Sequence, residues 1–210
     1  MKKHNRFFQN RCTVRGQVIE LDPIDWKHSR KDLYLLVETT LPDGTYTFVP
    51  CMAARGKLRD LGELKEGDWV TVSGALVVSR DKKISWLEAR IVDRVESEDE
   101  REYCNFAALQ GEMLEGGCML DHGKPVMADF LLCVGDPDRN HLEIDCFAGE
   151  AVQDYLDCLT CGEVQVFGKL DFSVSEEKEL RFFVDVQHMA PLHSSGTEMQ
   201  KTKWGRRNDS

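Results

Sequence analysis

The sequence writes nearly the same pattern twice, 95 residues apart. Gly16, in Arg15-Gly16-Gln17-Val18-Ile19-Glu20, answers to Gly111, in Gln110-Gly111-Glu112-Met113-Leu114-Glu115. Cys51, in Val49-Pro50-Cys51-Met52-Ala53, answers to Cys146, in Ile144-Asp145-Cys146-Phe147-Ala148. Gly67 answers to Gly162 at the same spacing, and Gly74 to Gly168 with a slip of one residue. A fixed internal period of this kind means two copies of one small module. Each copy has about 85 to 95 residues, enough for a core of its own.

Within each copy the apolar residues alternate with a period of two, the mark of half-buried strands. In the first, strands are expected over 12–21, 33–41, 45–52, 69–78 and 84–95. Pro42-Asp43-Gly44 and Lys65-Glu66-Gly67-Asp68 supply turns, and a short helix is expected over 53–64. In the second, strands are expected over 103–115, 126–134, 141–147, 164–174 and 180–189. The helix over 149–159 aligns Ala151, Val152, Tyr155, Leu156 and Leu159 on one face. The last hairpin, marked by Lys178-Glu179, reads as two residues shorter than its counterpart. Ile91-Val92-Asp93 would then answer to Phe183-Val184-Asp185. Five strands with one short helix between the third and fourth is the strand order of an OB-fold barrel. The residues alone carry the reading to an all-β chain, a small β-barrel twice; with the resemblance given below, the expected fold is two tandem OB-fold barrels. Domain one is 1–96, a charged linker spans 97–102, domain two is 103–192, and a basic tail runs over 193–210. The barrels are expected to be separate, with no sheet running through both.

The net charge of −10 is unevenly spread. Residues 1–96 carry +3, 97–102 carry −3, 103–192 carry −12 and the tail +2. Bulk acidity repels nucleic acid, so a nucleic-acid surface is expected to be local and mostly in the first half, with contact by the second half left open. The acidic second half is assigned to oligomerisation or to binding a protein.

Val49-Pro50-Cys51-Met52-Ala53-Ala54-Arg55-Gly56-Lys57-Leu58, followed by Lys65-Glu66-Gly67-Asp68-Trp69-Val70-Thr71-Val72-Ser73-Gly74-Ala75-Leu76, resembles the bacterial single-stranded DNA-binding protein family. The second copy carries the pattern through Cys161-Gly162-Glu163-Val164-Gln165-Val166-Phe167-Gly168-Lys169-Leu170. Related primosomal accessory proteins share the fold. The resemblance implies binding of single-stranded DNA without strong sequence preference, in replication, recombination or mobile-element maintenance. RNA binding is one alternative; a protein-interaction subunit of a nucleoprotein complex is another. Replication or recombination proteins and further copies of the chain are the expected protein partners. The family places a base-stacking aromatic where Tyr46 falls; the second-half counterpart is His141, and Met52 fills another stacking position. The family's single domain and acidic tail tip are replaced here by two domains and a basic tail, so recruitment through an acidic tip is not expected.

Binding single strands takes flat rings for the bases and cations along the backbone. Alternation turns Val14, Val18, Val70 and Val72 to one face and Arg15, Gln17, Trp69 and Thr71 to the other. Arg15 and Trp69 are therefore candidates, beside the Tyr46 that the resemblance implies, with Trp86 taken to share that surface; core packing is the competing reading for both tryptophans. Trp26, Lys27, Arg30 and Lys31 form a basic loop with an aromatic. Arg80, Lys82 and Lys83 sit on the last hairpin, placed to clamp a strand.

The eight cysteines lie mostly in apolar runs and read as reduced thiols of a cytoplasmic protein. Residues 1–10 contain no apolar segment of a signal peptide, and no apolar run approaches the ~20 residues that span a bilayer, so no membrane partner is expected. Cys158-Leu159-Thr160-Cys161 supplies two ligands, with Cys146 a conceivable third, where structural zinc takes four. No metal or other cofactor is expected. No phosphate-binding glycine loop or hydrolase motif is present, so no enzymatic activity is expected.

Overall fold

The computed structural model describes residues 9–25, 31–41, 43–54, 64–79, 84–135, 141–174 and 180–192. The first half contains β1 (Asn10–Asp25), β2 (Lys31–Thr40), β3 (Tyr46–Ala54), β4 (Trp69–Val78) and β5 (Ser85–Arg94). A single 3₁₀ turn, Glu98–Glu100, lies in the connector. Then come β6 (Cys104–Asp121), β7 (Lys124–Gly135), β8 (His141–Ala148), α1 (Val152–Cys158), β9 (Glu163–Val174) and β10 (Leu180–Pro191).

Pairing in the first half runs β1-β2-β3-β5-β4 and returns to β1, closing a five-stranded barrel; β3 and β5 are parallel and the other pairs antiparallel. The pairings β6-β7-β8-β10-β9-β6 follow the same order, with β8 and β10 the parallel pair. The alternation that marks the strands sets what is buried. Along β8 every second side chain, from Leu142 to Ala148, faces the core. In the first half Val14, Val18, Leu35, Val37, Val49, Cys51, Val70, Val72 and Leu87 fill the interior with no exposure.

The glycine anchors mark places where strands cross too closely for a side chain. A Cβ on Gly16 would lie 1.7 Å from the Glu38 carbonyl oxygen, and one on Gly111 2.2 Å from that of Cys133, the residue equivalent to Glu38. Gly74 and Gly168 meet the carbonyls of Glu88 and Asp185 at 2.0 and 2.2 Å.

The strand register also corrects the repeat alignment. Leu87 pairs with Cys51 and Leu76; Val184 pairs with Cys146 and Leu170. Val184 is therefore the counterpart of Leu87, Phe183 of Trp86 and Met189 of Val92, at an offset of 97. The second hairpin is longer than the first, not shorter. Apolar alternation cannot detect such an error, because a five-residue shift can be hidden by a bulge, and both last strands carry one, at Arg90 and Gln187.

Three further expectations change. β6 continues through Gly116-Gly117 to Asp121 and returns to β7 by a two-residue turn, with positive φ at His122 (48°) and Gly123 (78°). Ala53 and Ala54 belong to β3, and the rest of the helix expected over 53–64 falls largely outside the described residues. In α1, Cys158 faces inward where Leu159 was expected, and Leu159, just past the helix end, is exposed.

The two halves are not separate sheets. β1 pairs β6 antiparallel from Asn10↔Leu109 to Arg15↔Cys104, so one ten-stranded sheet runs through the chain. Cys12 pairs Ala107, its own equivalent, so the seam has the symmetry of a dimer interface folded into one chain. Sequence patterning misses this because β1 pairs on one edge with two partners in succession, β6 and then β2.

All four buried polar side chains among the described residues serve the seam or the strands beside it. The Thr39 hydroxyl donates to the carbonyls of Arg15 and Cys104, and that of Thr47 to Asp171. Ser85 Oγ accepts from the Phe182 amide, again a residue meeting its equivalent. The Asn105 side chain bonds both the N–H and the C=O of Leu170, and Asn10, 95 residues earlier, does the same to Leu76. Each asparagine thus extends the ladder to β9 or β4 by one step through its amide.

Candidate nucleic-acid interface

At the seam three rings converge. Trp69 opens β4, held by the Asp68 turn: Arg94 Nη2 meets Asp68 Oδ2 at 2.7 Å, and the Val95 amide donates to the Trp69 carbonyl at 2.8 Å. The Trp69 ring lies 4.8 Å from Tyr103, and Tyr103 5.6 Å, edge-on, from Tyr46. Tyr46 is 58% exposed at the start of β3; the other two rings are half-buried. The Tyr103 hydroxyl donates to Glu38 Oε1 at 3.1 Å. Burial, then the Glu38 bond and charge, push its pKa up to about 12, so the phenol stays neutral. Two anchored rings thus support one exposed ring, a geometry on which a base can stack.

Arg15 lies on the same outer surface, opposite Thr71 and one step along from the Gln17–Trp69 pair. Its Nε donates to Thr71 Oγ1 at 2.9 Å and its Nη1 reaches the Glu100 carbonyl at 3.4 Å. Alternation therefore orients Arg15 and Trp69 as expected, outward, while half-burying both.

Trp86 faces outward too, but it stands opposite Val77, eight residues along β4 from Trp69 and roughly 26 Å away at the rise of a strand. It does not join the Arg15–Trp69 surface. It borders a second row, on β2, β3 and β5, where Tyr34, Met52 and Glu88 lie side by side in register. Burial, with the charge of Glu20 next, pushes the Tyr34 pKa up to about 12. Phe48, opposite Glu38, is 41% exposed. Tyr103, Tyr34 and Phe48 were not among the sequence candidates. Tyr103 had a signal: the residue 95 positions earlier, Phe8, is also aromatic.

Trp26, Lys27, Arg30, Arg80, Lys82 and Lys83 lie outside the described residues, and Lys31 is placed by its backbone alone, paired with Asp25.

The second half replaces this chemistry. Gln110 stands for Arg15, Glu163 for Trp69 and His141 for Tyr46. The His141 Nε2 lies 2.8 Å from Glu143 Oε1. Its Nδ1 is buried without a hydrogen-bond partner among the described residues, so this ring is not presented as Tyr46 is.

Cys158 is buried on α1 and Cys161 half-exposed beyond it; burial first, and the neighbouring Cys161, raise the Cys158 thiol above its ordinary range. Among the described residues no group of three or more His, Cys, Asp or Glu is placed to hold a metal ion, and no helix is long and apolar enough to cross a membrane. All eight cysteines are unbridged and five are buried.

No protein-family model matches the chain, and no curated protein matches it. Among solved structures, the wild-type single-stranded DNA binding protein from Thermus aquaticus aligns with a TM-score of 0.70 at 15% identity, covering 91% of this chain and 96% of that one. A deletion mutant of the same Thermus protein gives 0.69 at 14%, covering 92% and 98%. The N-terminal domain of PriB from Thermoanaerobacter tencongensis aligns over 42% of this chain at 21% identity, with a TM-score of only 0.38. At these identities the likeness to the Thermus protein is one of fold: this chain shares its OB-fold architecture over nine-tenths of its length.

Proposed function

We propose that the chain is a non-catalytic protein that binds single-stranded DNA without strong sequence preference, built as tandem OB-fold domains over 1–96 and 103–192. The observation that carries this reading is the exposed Tyr46 ring backed by Tyr103, which itself packs on Trp69, with Tyr46 and Trp69 on the half that holds 17 of the 27 Lys and Arg residues. The Thermus protein, whose name says that it binds single-stranded DNA, shares the fold and supports the assignment. Bases stack on the seam rings, and Tyr34 and Trp86 offer a second stretch of the track. Lys27, Arg30, Lys31, Arg80, Lys82 and Lys83 are assigned to the phosphates. Replication, recombination or mobile-element maintenance is the setting, in the cytoplasm, with further copies of the chain and replication or recombination proteins as partners.

A second reading is favoured by the outer surface of the second half. Asp129, Glu143 and Asp145 stand where the first half has Tyr34, Phe48 and Pro50. Three carboxylates there suit a protein partner and repel a phosphate backbone.

Titrating the full chain with oligo-dT and oligo-U at two salt concentrations tests the proposal. Tryptophan quenching with an oligo-dT affinity that falls steeply with salt is expected. Tighter binding of oligo-U would reassign the chain to RNA. Binding of neither would leave the protein-interaction reading.

A further inference from the structure

The outer surface of the second half carries an aromatic groove. Phe147 on β8 is 37% exposed, and its ring meets Phe183 of β10 edge-on at 5.3 Å. One depression, of about 390 Å³, is lined by Asp145, Phe147, Arg181, Phe182 and Phe183. Another, of about 480 Å³, is also lined by Phe147, with Glu115, Gly116, Gly117, Asp129 and Asp145.

The groove is framed by carboxylates in register. Asp129 on β7 and Asp185 on β10 both pair across from Phe147, and Asp145 pairs across from Phe183. The cations facing it are Arg181, at its rim, and Lys169, paired with Asp185 on β9. The equivalent positions of the first half are Tyr34, Pro50, Met52, Trp86 and Glu88, a surface with one carboxylate. Aromatic flanks and an acidic frame suit an extended segment that alternates cations with a flat ring.

The chain's own sequence contains such a segment after β10: Lys201-Thr202-Lys203-Trp204-Gly205-Arg206-Arg207. It can reach. From Leu192 back along β10 to Phe183 is nine residues, roughly 30 Å at the rise of a strand. From Leu192 forward to Trp204 is twelve residues, up to roughly 40 Å when extended. A tether of this length gives the segment a high effective concentration at the groove.

We infer that residues 201–207 dock, in cis, in the Phe147–Phe183 groove, with Trp204 against the phenylalanines and Lys201, Lys203, Arg206 and Arg207 toward Asp129, Asp145 and Asp185. The docking stands apart from the nucleic-acid reading, since it involves neither the seam rings nor a nucleic acid. It gives the acidic half an occupant and keeps a basic segment from acting as a second, unspecific nucleic-acid arm.

Zero-length carbodiimide cross-linking of the full chain, read by peptide mass spectrometry, tests this. Lys201 or Lys203 should link to Asp129, Asp145 or Asp185, with yields that drop several-fold in about 0.5 M salt, where surface charge pairs are screened. Asp129→Asn with Asp145→Asn should lower the Lys201 and Lys203 links to Asp185 several-fold while the thermal midpoint holds. Phe147→Ala should lower all of them with every carboxylate kept. In a mixture of isotope-labelled and unlabelled chains the links should join residues of the same chain. Three outcomes overturn the inference: no link to these aspartates, links to other carboxylates in equal yield, or links only between chains.

Discussion

Placed position against position, the two halves agree inside and disagree outside. The interior pairs are kept in kind: Gly16 with Gly111, Gly74 with Gly168, Cys51 with Cys146, and the ladder-extending Asn10 with Asn105. The outer pairs change chemistry: Tyr46 becomes His141, Trp69 becomes Glu163, Arg15 becomes Gln110, Tyr34 becomes Asp129 and Phe48 becomes Glu143. Strand crossing, ladder and core leave little choice of residue, whereas an outward side chain on a strand is constrained by what it must meet in solution. The first half keeps rings and cations there; the second keeps a phenylalanine pair inside carboxylates.

The comparison breaks most sharply at the glycines. Gly16→Ala and Gly111→Ala each put a methyl into a carbonyl, so both should cost at least the upper part of the ~1–3 kcal/mol usual for overpacking. Chemical denaturation of the full chain checks this; a mild effect at either position would mean that the two crossings are not alike. The asparagines come next. Asn105→Ala strands the buried N–H and C=O of Leu170 and should cost about 2–4 kcal/mol, while Asn10→Ala, at a half-buried site, should cost about 1–2. Equal, negligible losses would remove the seam's amide device from the account.

Much of the fold is legible in the sequence because it follows from period and glycine. Strand order, the turns and the buried positions come from alternation, and the repeated glycines Gly16, Gly74, Gly111 and Gly168 all fall at strand crossings. The seam is not legible. A strand's edge carries no mark of which partner it takes, and Asn10 looks like an ordinary polar residue ahead of a strand until its amide is seen to bond Leu76. The candidate site is half legible: Arg15, Tyr46 and Trp69 face outward, but Tyr103, the ring that joins two of them, belongs to the other half of the sequence. The register of β10 escapes sequence reading because the bulge at Gln187, like that at Arg90, resets the alternation that an odd shift would otherwise invert.

The outer contrast is sharpened by smaller effects. Tyr103→Ala should weaken oligo-dT binding by about 1–2 kcal/mol by removing the support of Tyr46, and Tyr103→Phe, which keeps the ring, should restore most of it. Replacing Lys82 and Lys83 by alanine should flatten the salt dependence by about one unit of slope for each phosphate left without its cation. The smallest effect is electrostatic. Burial first, and the charge of Glu150 next, raise the Asp185 pKa above its ordinary value, with Lys169 opposing. A raised folded-state pKa favours folding only while the group is protonated, and that contribution is lost as pH rises through the folded pKa. With the cations of residues 201–207 screened in about 0.5 M salt, Asp185→Asn should therefore raise the thermal midpoint at pH 7, by an amount worth within about 0.5 kcal/mol, and the gain should vanish on acidification through the carboxylate range. A gain that persists in acid would point to packing instead of charge.

The most direct test of the division between the halves is the oligo-dT affinity of two full-length variants against the parent, each normalised to folded protein. Tyr46→Ala with Trp69→Ala alters the first half; His141→Ala with Glu163→Gln alters the equivalent positions of the second. The account predicts a loss of about 1–3 kcal/mol or more, about fivefold to over a hundredfold, for the first variant, and an affinity within about twofold of the parent for the second. Equal losses in the two, or a loss confined to the second, would contradict it.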